Sequence, residues 1–127
     1  MQGKHLYEYA VIRLVPRVER EEFFNVGIIL FSKRAKYIKA LYKVDEDKLN
    51  LFSSELDRES LFANLHVFDK ICSGTKEGGP IAALDIPERF RWLTAVRSAS
   101  IQTSRPHPGF SDDLDQPLEI LFRELVL

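Results

Sequence analysis

Apolar and polar positions change period along the chain. LYEYAVIRLV (6–15) is rich in β-branched and aromatic residues and predicts a strand. Tyr7, Tyr9, Val11, Arg13 and Val15 share one face of it; Leu6, Ala10, Ile12 and Leu14 dominate the other, with Glu8 near the end. Pro16 cannot donate to a ladder and stops the strand. After the polar connection PRVEREE, FFNVGIILFS (23–32) predicts a second strand. Strict alternation puts Phe24, Val26, Ile28 and Leu30 on one face and Phe23, Asn25, Gly27, Ile29 and Phe31 on the other. Both faces are mainly apolar, so this strand is expected to be central and covered on both sides. SKRAK turns the chain into YIKALYK (37–43), with Lys39 and Lys43 on one face and Ile38, Ala40 and Tyr42 on the other. Three strands with short connections predict an antiparallel meander.

The period then becomes helical. DEDKLNLF (45–52) predicts a short helix capped by Asp45. Leu61, Leu65, Phe68 and Cys72 recur at helical spacing, with Phe62 and Ile71 widening the stripe. Ser54 or Asp57 suits the start of that helix, and Gly74 suits the left-handed position after its end. GTKEGGP (74–80) reads as a mobile loop. Pro87 fits the first turn of the next helix, which carries Phe90, Leu93 and Val96 inward. SIQTS (100–104) alternates and predicts a fourth strand, which RPHPG breaks. Leu114, Leu118, Leu121, Phe122 and Leu125 form the stripe of a last helix, with Pro117 near its first turn. The order β-β-β-α-α-β-α predicts an α+β fold, a mostly antiparallel four-stranded sheet with helices packed on it.

Composition narrows the class. A chain of 127 residues fits a single domain, 1–127, that buries a core without staples. The 18 basic residues balance 19 acidic ones, which argues against general nucleic-acid binding, where many phosphates must be neutralised. Cys72 is the only cysteine, so an intramolecular disulfide and a multi-cysteine zinc site are both excluded; reducing cytoplasm is the expected location. The start carries Lys4 and Glu8 without a long apolar core, unlike a signal peptide, and no stretch reaches the roughly 18 apolar residues of a membrane span. His5, His66 and His107 are scattered, and GTKEGG lacks the P-loop spacing, so neither a metal nor another cofactor is expected.

Two groups of residues carry candidate chemistry. Asn25 and Gly27 lie two apart; on one face they could line a pocket with Arg13, or admit a helix while Asn25 bonds a neighbouring backbone. The second group is RSASIQTSRPHPG (97–109), the densest polar run. Gln102 and Ser104 point the same way on a strand, and Pro106 and Pro108 restrain His107 between them. Arg97 would clamp an anion and His107 would act as acid, base or donor. The competing role for this run is a strand edge whose hydroxyls cap backbone groups. Ser104, His107 and Asp112 make a triad on paper only, since no Gly-x-Ser-x-Gly elbow is present.

YAVIRLVP, EFFNVGIILF, RFRWLTAVRS, SIQTSRPHPG and LEILFRELV together resemble a family of small bacterial proteins, domain of unknown function 3037, from about Tyr7 to Val126. The family-like residues are Asn25, Val26 and Gly27; Arg89, Trp92, Leu93, Arg97 and Ser98; Gln102, Ser104, His107 and Gly109; Leu121 and Phe122. The resemblance transfers no catalytic role. Members neighbour kinase-like toxin genes in some bacteria, which implies a protein partner. The leading expectation is a cytoplasmic binding or accessory module with a polar protein-binding or anion-binding surface. The alternative is an enzyme acting on a phosphoester or other anionic substrate through Arg97 and His107. Substrate, partner identity and oligomeric state stay open at this level. Arg97, Gln102, Ser104 and His107 are expected to cluster near the Asn25 and Gly27 end of the sheet.

Overall fold

The computed structural model describes residues 4–15, 22–51, 58–95 and 100–127. The expected stop at Pro16, the caps Ser54 and Asp57, and the inward Val96 lie outside the described residues. β1 (His5–Leu14), β2 (Phe24–Ser32) and β3 (Tyr37–Tyr42) form the expected antiparallel meander. Then come α1 (Glu46–Asn50), α2 (Arg58–Ser73), a 3-10 turn (Lys76–Gly78), α3 (Gly79–Ala82) and α4 (Ile86–Leu93). β4 (Ile101–Thr103), β5 (His107–Ser111) and α5 (Asp115–Leu125) end the chain. The fold is α+β, with sheet order β3-β2-β1-β4 and β5 also paired to β1. Among the described residues no helix is long and apolar enough to cross a membrane.

Local chemistry sets the ends of the helices. Asp45 accepts from the N–H groups of Asp47 (2.9 Å) and Lys48 (3.3 Å), satisfying two donors that α1 leaves open. Asp85 does the same for α4 through Glu88 N–H at 3.0 Å, with Pro87 in the first turn. Gly74, at φ +74°, closes α2, and its N–H reaches the Lys70 and Ile71 carbonyls. The expected loop at 74–80 is instead largely ordered into the 3-10 turn and the start of α3. Gly78 permits this: a Cβ there would stand 2.7 Å from Ala82 Cβ and 2.9 Å from Ile71 N.

The sheet separates two cores. On one side Ala10, Ile12 and Leu14 of β1 meet Leu61, Phe68 and Ile71 of α2 and Phe90 and Leu93 of α4. Phe31 stacks on Phe90 there, with ring centroids 4.7 Å apart. On the other side α5 brings Leu118 and its flanking Leu114 and Val126 onto Val11, Ile28 and Leu30. Leu125 stays 38% exposed and Val126 finishes the stripe, a one-residue departure from the expected pattern. Phe62 is also turned outward, 41% exposed, rather than widening the α2 stripe. Asp115 ties α5 to β3 by accepting from the Tyr37 hydroxyl at 2.6 Å.

β2 corrects the expected alternation. Ile12 pairs with Gly27, but Arg13 pairs with Asn25, so the register skips Val26. This is a β-bulge, with two residues of one strand opposite one of its neighbour. The bulge reverses the phase: Phe24, Val26, Ile29 and Phe31 face the helices α2 and α4, while Ile28 and Leu30 face α5. Asn25 and Gly27 therefore lie on opposite sides. A Cβ on Gly27 would stand 2.5 Å from the Leu41 carbonyl oxygen and 3.1 Å from Ile12 Cδ1. The space beside Gly27 is thus filled by the neighbouring strands, and the pair does not line one pocket.

Two glycines give a test of that packing. Replacing a strand glycine by alanine normally gains roughly 0.5–1 kcal/mol in chain entropy. At Gly27 the obstacle is a neighbouring strand's backbone oxygen, so Gly27→Ala is expected to destabilise the fold by roughly 1–3 kcal/mol net. At Gly109 the obstacle is the tip of the Tyr7 ring, 2.4 Å away, which can swing aside. Gly109→Ala should cost clearly less. Urea denaturation of both variants checks the order; equal midpoints would refute the account.

Candidate functional site

The described part of the polar run, residues 100–109, lies along the side of β1 away from β2. Gln102 pairs with Arg13, Ser104 with Val11, and His107 with Tyr9. Two short strands thus serve one long one: β4 pairs with Ile12–Leu14 and β5 with His5–Tyr9. Between them the ladder would fail at Val11, and Ser104 fills the gap. Its N–H donates to the Val11 carbonyl at 2.9 Å, and the Val11 N–H donates to Ser104 Oγ at 2.9 Å. Ser104 Oγ also donates to the Arg105 carbonyl at 3.0 Å, where the chain bends into Pro106. Ser104 is 7% exposed, so its hydroxyl is a buried part of the sheet. Gln102 and Ser104 point to the same side of the sheet, as expected, with Gln102 half-buried and Ser104 buried.

His107 begins β5 and is exposed. Its ring lies against Tyr9, with centroids 5.3 Å apart and planes tilted by 36°. Two residues on, Gly109 pairs with Tyr7 and leaves room for the Tyr7 ring to lie across the edge strand. The expected break at RPHPG is therefore confined to Arg105 and Pro106, and the rest forms β5. A proline at position 108 is tolerated because a strand with one free edge can direct the missing donor outward.

Arg13 stands at the centre of a cross-strand row. It pairs with Asn25 on β2 and with Gln102 on β4, so all three occupy the face that carries α5. Its guanidinium carbon lies 4.2 Å from the Phe23 ring centroid. Arg13 Nε is buried and has no hydrogen-bond partner among the described residues. Asn25 is half-buried, less than its apolar neighbours imply, and its side-chain amide donates to the Leu125 carbonyl at 2.9 Å. That carbonyl lies at the end of α5, where intrahelical donors run out. Asn25 thus pins the end of α5 onto the sheet.

The structure brings together Arg13, Asn25 and Gln102, and sets His107 four residues further along β1. Arg97 and Ser98 lie outside the described residues. Residue spacing alone did not single out Tyr7, Tyr9 or Phe23 as partners of this surface. The available signal was the aromatic pair at alternating positions of β1.

Beneath the opposite face lie a buried thiol, Cys72, and a partly buried phenol, Tyr42. Tyr42 is raised well above the usual phenol range, first by burial and then by the charges of Cys72 and Asp69. The Cys72 thiol is pushed up to about 12, first by burial and then by Asp69, with Arg89 opposing. A thiol so protonated is no nucleophile at neutral pH.

These observations define a small α+β domain whose long inner strand displays a polar and aromatic strip along one edge. The chain belongs to the family described as protein of unknown function (DUF3037), whose model matches residues 9–126. Comparison with curated proteins gave no match, and comparison with solved structures gave none.

Ser104→Ala leaves the Val11 N–H without its acceptor in a buried place and should cost about 1–3 kcal/mol. Asn25→Ala, where water can replace the lost donor, should cost about 0.5–1.5 kcal/mol. Denaturant midpoints test this; the reverse order would show that the edge joint is not held by Ser104. The buried thiol supplies a pH test. The unfolded chain ionises Cys72 from its ordinary value of 9.0, whereas the native thiol holds its proton to about 12. Its contribution to stability is complete below the first value and declines as pH rises toward the second. Stability should therefore fall through this window, and less steeply in Cys72→Ala. An identical slope in both proteins would contradict the assignment.

Proposed function

We propose that the domain is a binding or accessory module that recognises an anionic group on a protein partner through Arg13, Gln102 and Asn25, with His107 at the end of the strip. One observation carries this reading. Gln102, Ser104 and His107 are paired with three successive same-face positions of β1, Arg13, Val11 and Tyr9. The stations spread over about 13 Å of strand. An acid, a base and a nucleophile must converge on one reacting atom. A strip with a buried serine at its middle does not supply that convergence, and it suits contact with an extended surface. Arginine adds bidentate recognition of a carboxylate or phosphate, and the ring of Phe23 restricts its orientation. The resemblance to a family whose members look like neighbours of kinase-like toxin genes points toward a protein partner and carries no chemistry of its own.

The test is a titration of the labelled protein with inorganic phosphate and with acetate, followed by amide chemical shifts. Perturbations should centre on Arg13, Asn25, Gln102 and His107 and disappear in Arg13→Ala, with the dispersed spectrum retained. Anion-induced shifts that ignore this strip would refute the surface. Hydrolysis of an aryl phosphate that is abolished by His107→Ala would replace the module with an enzyme.

A further inference from the structure

On the opposite face, at the end of the sheet where β1 begins, lies a hollow of about 400 Å³. Its floor is apolar. Leu6 pairs with Phe110 across β1 and β5, and Glu8 pairs with Phe31 across β1 and β2, which puts these side chains on one face. Phe31 is buried and stacked on Phe90, so the floor is anchored in the core. Leu6 and Phe110 remain 52% and 68% exposed, side by side. Large apolar side chains left together at a surface mark an interaction site more often than isolated ones do.

The rim is cationic. Lys4 enters from the start of β1, and Lys33 and Arg34 from the turn between β2 and β3. That turn is closed by the Lys36 N–H on the Lys33 carbonyl at 3.2 Å, with Lys36 at φ +53°. Glu8 is the one acidic residue lining the hollow among the described residues, and Arg91 lies 3.8 Å from it. Asp115 belongs to the α5 side, where it accepts from Tyr37 and lies 3.7 Å from Lys39. With a net charge of only −1 over the whole chain, this concentration of cations is local. Lys33 also lines a second hollow of about 430 Å³, walled by Ile86 and Pro87, with Lys36 as a further cation, Asp85 as an acidic member, and Arg89, whose guanidinium donates to the Ala82 carbonyl at 3.3 Å.

We infer that these two hollows form a docking groove for a segment of a partner protein that alternates apolar anchors with carboxylates. Charge complementarity selects the sign of the partner. The paired hollows select its shape, because one small molecule in the first would leave Lys36 and Ile86 unused. The exposure of Phe110 also favours a macromolecule, which can cover the outer side of the ring. Apolar anchors in the hollows would supply most of the affinity, and the lysines and arginines would supply orientation and association rate. This surface is separate from the Arg13 strip, and its ligand differs in needing an apolar part.

The full chain can be tested by fluorescence anisotropy with three synthetic octapeptides. One alternates glutamate with leucine and phenylalanine, one replaces every glutamate by lysine, and one replaces every apolar residue by serine. The acidic apolar peptide should bind, and each counterpart should bind at least about tenfold more weakly. A Lys33→Glu, Arg34→Glu double variant and a separate Phe110→Ser variant should each weaken binding by about tenfold or more. All these positions are exposed, so an unchanged thermal midpoint is expected and is measured alongside. Added salt should weaken the charged contribution and spare the apolar one. Absence of binding by the acidic apolar peptide, or equal binding of both signs of charge, overturns the inference. So does retention of full affinity by both variants. Tighter binding of a short alkyl phosphate would make the hollow a small-molecule site and overturn it too. Self-association in sedimentation that both variants abolish would assign the groove to a second copy of this chain instead.

Discussion

The reciprocal bonds between Ser104 and Val11 hold the sheet to its observed shape. β1 is the longest strand and needs partners along both edges. β2 serves one edge from Glu8 to Leu14, whereas the other is shared by β4 and β5, each too short to span it. A bent chain between those two strands leaves a buried N–H that no backbone carbonyl reaches. A serine hydroxyl has the reach and the free lone pairs to stand in for that carbonyl. The bend, the position of β5 and the display of His107 all follow from this substitution. The Ser104 hydroxyl is thereby engaged in the architecture of the sheet.

Much of the fold was legible because its elements have clean periods. The meander, the Asp45 cap, Gly74 at the end of α2 and Pro87 in the first turn of α4 all follow from local rules and recur in the structure. The departures have local causes as well. Strict alternation assumes that every residue of a strand has one partner, and Val26 has none across β1, so half of β2 faces the side opposite to the one alternation predicts. No propensity marks a bulge in advance, although an asparagine and a glycine inside an apolar strand are suggestive. β5 was hidden because two prolines read as breakers, and a proline's effect depends on whether its strand has a free edge. The ordered segment after Gly74 was hidden because glycines that permit a close contact look the same in sequence as glycines that leave a loop loose.

The site was less legible than the fold. Arg13, Asn25 and Gln102 were candidates from residue type, and register supplied the reason they meet: all three occupy a single rung across β2, β1 and β4. His107 was a candidate as well, but its partner is the ring of Tyr9. The cation-rimmed hollow had no signature at all. Leu6, Phe110, Lys33 and Arg34 come from three separate segments, and each alone is an ordinary surface residue.

β5 has two clients. Successive strand residues face opposite ways, so the same five residues present His107 beside Tyr9 on one side and Phe110 beside Leu6 on the other. Among the described residues β5 is an edge strand paired to β1 alone, with its joint at Arg105 and Pro106. Whatever clamps it down on one face also clamps it for the other, and lifting it dismantles both surfaces at once. A ligand that held the strand on one face would therefore also fix the residues it displays on the other.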